Sequence, residues 1–230
     1  MFVLEHKNRH KGLINGDNLS ILSLPGACVI EIITRHEPDV FPVFLLLGSR
    51  NNDEYQKLSV ILCSIYRDMK QLIILRHGKA EQDTMAKDDY DRILTDRGRR
   101  NAAAMGEYIL KKTGVPDLIL TSSAKRAHET ALYAAQHIGY PEEEIQNDQN
   151  LYFAPARWIL NILSKLPEEV NSCLYVGHNP GVTDLVNDLG VRLDNLPTAS
   201  AVCFEFNIDS WKEISAERAN FMWLKTAKEL

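Results

Sequence analysis

Two histidines and two arginines, each placed where an apolar run ends or a helix then begins, are the residues whose types and spacing can do chemistry. His77 follows Arg76 in Leu75-Arg76-His77-Gly78. Arg126 lies in Thr121-Ser122-Ser123-Ala124-Lys125-Arg126-Ala127, and His178 in Val176-Gly177-His178-Asn179-Pro180-Gly181. Arginine is always charged and forks its donors onto phosphate oxygens. A neutral imidazole with one ring nitrogen held by an acceptor presents the other as a nucleophile. A second imidazole can donate to the oxygens of a phosphoryl group in flight, a transfer governed by positioning and charge. The four together describe a pocket for a compact dianion, with a covalent step on a histidine. They supply the positive field themselves, so no metal and no cofactor is expected. A lone histidine or a lone helix arginine is more often structural. The specificity lies in the combination.

The elements that must position these residues are short and regular. Residues 71–75, 118–120 and 173–176 are apolar runs that predict buried strands, and each ends in a polar segment. Helices are expected over 96–112, capped by Thr95 and stopped by Gly114 and Pro116, and over 124–138, stopped by Gly139. Further helices are expected over 156–166 and 182–189, and strands over 145–147, 201–206 and 220–224. Trp158, Ile159 and Ile162 read as one inward face. Strands alternating with helices predict an α/β fold in three layers, a mostly parallel central sheet flanked by helices. Ligands of such sheets sit beyond the carboxyl ends of the strands, where Arg76, His77, Ser122 and His178 lie. Gly78 is expected to let the backbone turn tightly after His77.

Composition sets the outer limits. The chain has 230 residues, a net charge of −5 and 25% charged residues, close to the globular average. A mildly acidic total argues against nucleic acid or an anionic membrane as partner. Cys28, Cys63, Cys173 and Cys203 show no metal-ligand spacing and are expected to be reduced thiols. The amino-terminal residues lack a signal-peptide pattern, and no apolar run approaches membrane-spanning length. These features predict a cytoplasmic protein. Residues 1–68 carry possible strands at 28–33 and 43–47 and a third element at 58–66, but no chemical motif. The expected organisation is an amino-terminal extension of uncertain structure over 1–68, read as upstream of the true start, and a catalytic domain over 69–230.

The three segments around these residues, with Leu94-Thr95-Asp96-Arg97-Gly98-Arg99, Leu151-Tyr152 and Leu196-Pro197-Thr198-Ala199-Ser200-Ala201, resemble the histidine phosphatase superfamily, the phosphoglycerate mutase-like fold. The similarity is greatest to its SixA-type phosphohistidine phosphatases, and covers residues 69–230. The resemblance implies that His77 is transiently phosphorylated, that Arg76 and Arg126 bind the phosphate, and that His178 completes the pocket. It marks Asn179 and Thr198 as weaker candidates for substrate binding or support.

The sequence departs from the family at the general acid. Where the mutase branch carries a glutamate before a tyrosine-glycine pair, this chain has Asp148-Gln149-Asn150-Leu151-Tyr152-Phe153. Glu81 and Asp83, in the loop after His77, are the remaining possible acids. An alkoxide leaving group needs a proton donor, whereas the nitrogen of a phosphoramidate can take its proton from solvent. The expected substrate is therefore phosphohistidine on a protein. The alternatives are a small phosphorylated molecule, as for a phosphomonoesterase or a phosphoglycerate mutase-like enzyme, and a non-catalytic phosphate-binding module. No oligomeric state is read from the sequence.

Overall fold

The computed structural model describes residues 69–82 and 88–230 in full, and four backbone strands before them. The chain separates into two compact units, Met1–Arg67 and Asp68–Leu230. In the first unit, β1 (Lys11–Gly12), β2 (Leu19–Leu24), β3 (Ala27–Ile32) and β4 (Val43–Gly48) form an antiparallel sheet in sequential order. The strands expected at 28–33 and 43–47 correspond to β3 and β4. The element expected at 58–66 lies outside the described residues, as does Asp83.

The second unit holds a six-stranded sheet. In chain order its strands are β5 (Met69–Arg76), β6 (Leu118–Ser122), β7 (Gln146–Asp148), β8 (Ser172–Gly177), β9 (Ala201–Asn207) and β10 (Ala219–Lys225). The spatial order is β10-β9-β5-β8-β6-β7. The pairings from β5 through β8 and β6 to β7 are parallel, while β9 runs antiparallel to both β5 and β10. The sheet is thus mostly parallel, as expected, with β9 as its one antiparallel strand. Its parallel part follows from helical crossovers, and β10 reaches β9 through short turns, which impose an antiparallel pairing.

Burial on both faces explains the continuous apolar runs. On one face Ile73, Leu75, Ile119, Leu174 and Val176 pack against α1 (Asp96–Thr113) and α2 (Lys125–Ile138) through Met105, Ile109, Ala127 and Ala131. On the other, Leu72, Ile74, Leu120 and Tyr175 meet α3 (Ala156–Leu163) and α4 (Gly181–Asp188) through Ile159, Leu163, Val182 and Leu185. Adjacent β5 residues serve opposite layers, as the two-residue strand period requires. Thr95 caps α1 by accepting from the Gly98 N–H, and Gly139 ends α2 in the left-handed conformation.

Three local expectations change. Helix α3 ends at Leu163, and residues 165 and 166 tighten into i→i+3 bonds before Pro167, which disfavours helix in the residue preceding it. Trp158 is not core: its side of α3 faces outward and it stays 48% exposed, while Ile159 is fully buried. Gly78 serves close packing rather than a special backbone angle. A Cβ there would lie 2.8 Å from the Gly98 carbonyl oxygen, and one on Gly98 would meet the Lys79 carbonyl at van der Waals-forbidden range. The strand-end loop and the start of α1 can touch only because both residues lack a side chain.

Candidate active site

Strand order brings the chemistry together. β5 and β8 are neighbours in parallel register, with Arg76 opposite Gly177, and the His77 N–H donates to the Gly177 carbonyl at 3.0 Å. The next residue of each chain end is a histidine, and the His77 and His178 rings lie 5.0 Å apart between centroids. β6, on the other side of β8, delivers Ser122 and then α2, whose first turn carries Arg126.

The tautomers follow from hydrogen bonding. His77 Nδ1 lies 2.8 Å from the Gly78 carbonyl oxygen, an obligatory acceptor, so Nδ1 carries the proton and Nε2 keeps its lone pair. The Gly78 N–H in turn donates to Thr130 Oγ1 at 2.9 Å, which pins this peptide to α2. Ser122 Oγ accepts from the Ala124 N–H and lies 2.8 Å from His178 Nε2. A Ser122 hydroxyl that donates to Nε2 leaves His178 Nδ1 as an N–H donor. That Nδ1 is buried with no protein partner among the described residues, and so is Arg76 Nε. Buried donors of this kind require an acceptor, and an anion oxygen satisfies both.

Charge reinforces this arrangement. Burial, then the charges of Arg126, Arg76 and Arg92, hold His77 down at about 3, against the opposing bond to Gly78. Burial and the neighbouring His77 and Arg126 hold His178 at about 2. Both rings are neutral at pH 7. Burial also lowers the pKa of Arg76, which stays a cation at any working pH.

Arg126 is almost fully buried, at 2% exposure. Its counter-ion is Asp89, which the sequence reading did not single out. Arg126 Nη2 reaches Asp89 Oδ2 at 2.8 Å, and Nη1 reaches the Asp89 carbonyl at 2.5 Å. The same carboxylate accepts from Tyr152 Oη at 2.8 Å and from Arg92 Nη1 at 2.5 Å. Burial pushes Asp89 up, but these bonds and the Arg126 charge outweigh it and bring the carboxyl to about 2. Arg92 also donates through Nε and Nη2 to the Glu81 carbonyl. The only sequence signal for this cluster is the Asp89-Tyr90-Asp91-Arg92 run before the α1 cap.

The remaining candidates fall around this centre. Asn179 donates to Asn195 Oδ1 at 2.6 Å, the same oxygen that accepts from Arg76 Nη1 at 3.1 Å, and it accepts from Thr183. It therefore sits beneath Arg76. Thr198 is half-buried in the turn whose next residue, Ala199, holds a left-handed φ of 55° and donates to the carbonyls of Arg76 and His77. Glu81 is half-buried in the loop. Asp148 is committed to capping a turn, with its Oδ1 accepting from the backbone and side chain of Asn150.

Residues 72–152 match the model of the histidine phosphatase superfamily, branch 1. The chain is 28% identical over 155 residues to an uncharacterized chloroplastic protein of Arabidopsis thaliana, covering 64% of this chain and 71% of that one. It is 26% identical over 162 residues to an uncharacterized protein of Mycobacterium leprae, covering 64% and 96%. Its fold is similar to that of the proposed phosphohistidine phosphatase SixA of Nakamurella multipartitia, with a TM-score of 0.60 at 20% identity over 69% of this chain and 96% of that one. It is likewise similar to a protein histidine phosphatase SixA complexed with tungstate, with a TM-score of 0.58 at 22% identity over 69% and 97%. No helix among the described residues is long and apolar enough to cross a membrane. With the match over residues 72–152, the three-layer fold and the paired histidines at its sheet edge, the chain is similar to the histidine phosphatase superfamily.

Proposed function

We propose that this protein is a phosphatase that removes the phosphoryl group of phosphohistidine on a protein, through a phosphorylated His77. The observation that carries the reading is the fixed tautomer of His77. With Nδ1 tied to the Gly78 carbonyl, Nε2 is a neutral nucleophile beside two guanidinium groups and 5.0 Å from a second imidazole.

The dianion is held by Arg76 and Arg126 and by the Nδ1–H of His178, with Asn179 and Thr198 supporting the strand-end loops around Arg76. His77 Nε2 attacks phosphorus, and the new N–P bond forms as the bond to the leaving nitrogen breaks. That nitrogen takes the electron pair and a proton from solvent. Water then attacks the phosphorus, the N–P bond breaks, and the electron pair returns to Nε2. Inorganic phosphate leaves, and the water's second proton is lost to solvent. Arg76, Arg126 and His178 stabilise the charge on the equatorial oxygens in both steps.

The preference for a nitrogen leaving group rests on the local carboxylates. Asp89 is ionised and bound by two arginines and a tyrosine, and Asp148 is held in a cap. Glu81 lies in the loop after His77, and Asp83 falls outside the described residues. A phosphoramidate needs neither. The direct test compares the wild-type protein with His77→Ala on a phosphohistidine protein and on an aryl phosphate. Wild-type turnover of both, lost in the variant, is expected. Turnover that survives the substitution would overturn the nucleophile assignment.

A further inference from the structure

Phe153 stands at the mouth of the site in a conformation that packing alone does not explain. It holds a left-handed backbone, φ 48°, which a bulky side chain rarely adopts. Its side chain gains little burial in return, since the residue is 49% exposed. Yet the ring is well placed. Its centroid lies 5.5 Å from the His178 ring, 4.7 Å from the Tyr152 ring, and 5.6 Å from the Arg126 guanidinium carbon. Strained residues persist where the surroundings over-determine them, and they cluster at ligand clamps. Here the strain holds one face of an aromatic ring against the two groups assigned to the phosphoryl oxygens, and leaves the rest of the ring open to solvent.

We propose that Phe153 determines leaving-group specificity, by offering its open face to a planar ring that bears the phosphoryl group directly, an imidazole or a phenyl. The inference rests on the phosphatase reading above and deepens it by naming the substrate class. Tyr152 and Phe153 both border Arg126 and His178, but Tyr152 is tied to Asp89 through its hydroxyl, so Phe153 is the exposed ring of the pair. Phenylalanine has no polar atom to read hydroxyls, so a sugar or glycerol gains nothing from it, whereas a flat ring gains an offset or edge-on aromatic contact. The two orphaned donors, Arg76 Nε and His178 Nδ1, serve the phosphate and are equally available to any substrate. Discrimination therefore falls to the residue beside them.

The experiment uses the full chain and two variants, Phe153→Leu, which keeps apolar bulk without the flat face, and Phe153→Gly, which removes the side chain and suits the left-handed backbone. The readouts are kcat/KM for a phosphohistidine peptide, 4-nitrophenyl phosphate and glycerol phosphate, and competitive inhibition by phenylphosphonate against methylphosphonate. The ratio of phenyl to methyl inhibition should fall about 10-fold in both variants, as should the ratio of ring to glycerol turnover, in keeping with one lost aromatic contact. Phe153→Gly should keep its Tm within about 2 °C, because relief of the left-handed strain offsets the lost contacts. If the peptide and aryl arms fall together, the shared ring is what is read; a fall in the peptide arm alone would move recognition to the polypeptide and overturn the proposal. Unchanged ratios, or an equal loss on every ligand accompanied by a lower Tm, would also overturn it and leave Phe153 a structural residue. A wild-type protein inactive on all three phosphates would instead defeat the phosphatase reading itself.

Discussion

Two imidazoles at the centre of this site are kept neutral by burial among cations, and that single fact sets how the protein responds to pH. An ordinary histidine titrates near 6.5. His77 is held at about 3 and His178 at about 2. Between those values and 6.5 the unfolded chain binds more protons than the folded one, so stability falls as the pH falls through that window. Asp89, held at about 2, adds to this below the ordinary carboxylate value: its stabilising contribution is present above about pH 4 and is lost as the pH drops towards 2. The urea midpoint should therefore be lower at pH 5 than at pH 7, and the ring signals of His77 and His178 should not titrate between pH 8 and 5 in NMR. A midpoint that rises on acidification would contradict the burial argument. Asp89 supplies a second test at this scale. Asp89→Asn keeps the shape but gives Arg126 a neutral partner and loosens its grip on Arg92 and Tyr152. A loss of about 10- to 100-fold in kcat/KM is expected, measured on an aryl phosphate, since a charge-assisted pair that fixes the guanidinium proposed to bind phosphate becomes a neutral one.

At the scale of elements, the sequence was most legible where periodicity and caps agree. Thr95, Gly114 and Gly139 announced the ends of α1 and α2, and the apolar runs announced β5, β6 and β8. The four reactive side chains could be read because each follows such a run. What escaped was what depends on pairing across the fold. Asp89 sits in a short turn before α1, with no pattern of its own, and becomes important only when α2 places Arg126 opposite it. The antiparallel run of β9 within a mostly parallel sheet was hidden for a related reason: a strand's apolar content does not record which way its neighbour runs. Trp158 misled because helical spacing identifies an apolar stripe without fixing its width, and the indole lies beyond its edge. The contact of Gly78 with Gly98 belongs to this scale too. Gly98→Ala should destabilise the protein by about 3 kcal/mol in urea unfolding, because backbone rather than a flexible side chain would have to move. A cost below about 1 kcal/mol would show that the loop after β5 is not pinned to α1.

For the molecule as a whole, the fold explains why so few residues suffice. Adjacent parallel strands end in adjacent histidines, the next strand brings the serine that sets one tautomer, and the crossover helix brings the arginine. Covering both faces of the sheet buries the pocket's rim enough to keep the imidazoles neutral, yet the carboxyl ends of the strands leave His77 Nε2 open to a phosphoryl group. The acidic total charge of −5 is no obstacle, because Arg76, Arg92 and Arg126 act together on His77. Everything in this account turns on one covalent bond. The most direct measurement is rapid acid-free quenching of the full chain during turnover of a phosphohistidine peptide, followed by mapping of the modified peptide by mass spectrometry. Phosphate carried by His77, labile to acid and stable to alkali, and absent from His77→Ala, is the predicted result. Turnover with no phosphate on His77 at any time, or phosphate on another residue instead, would contradict it.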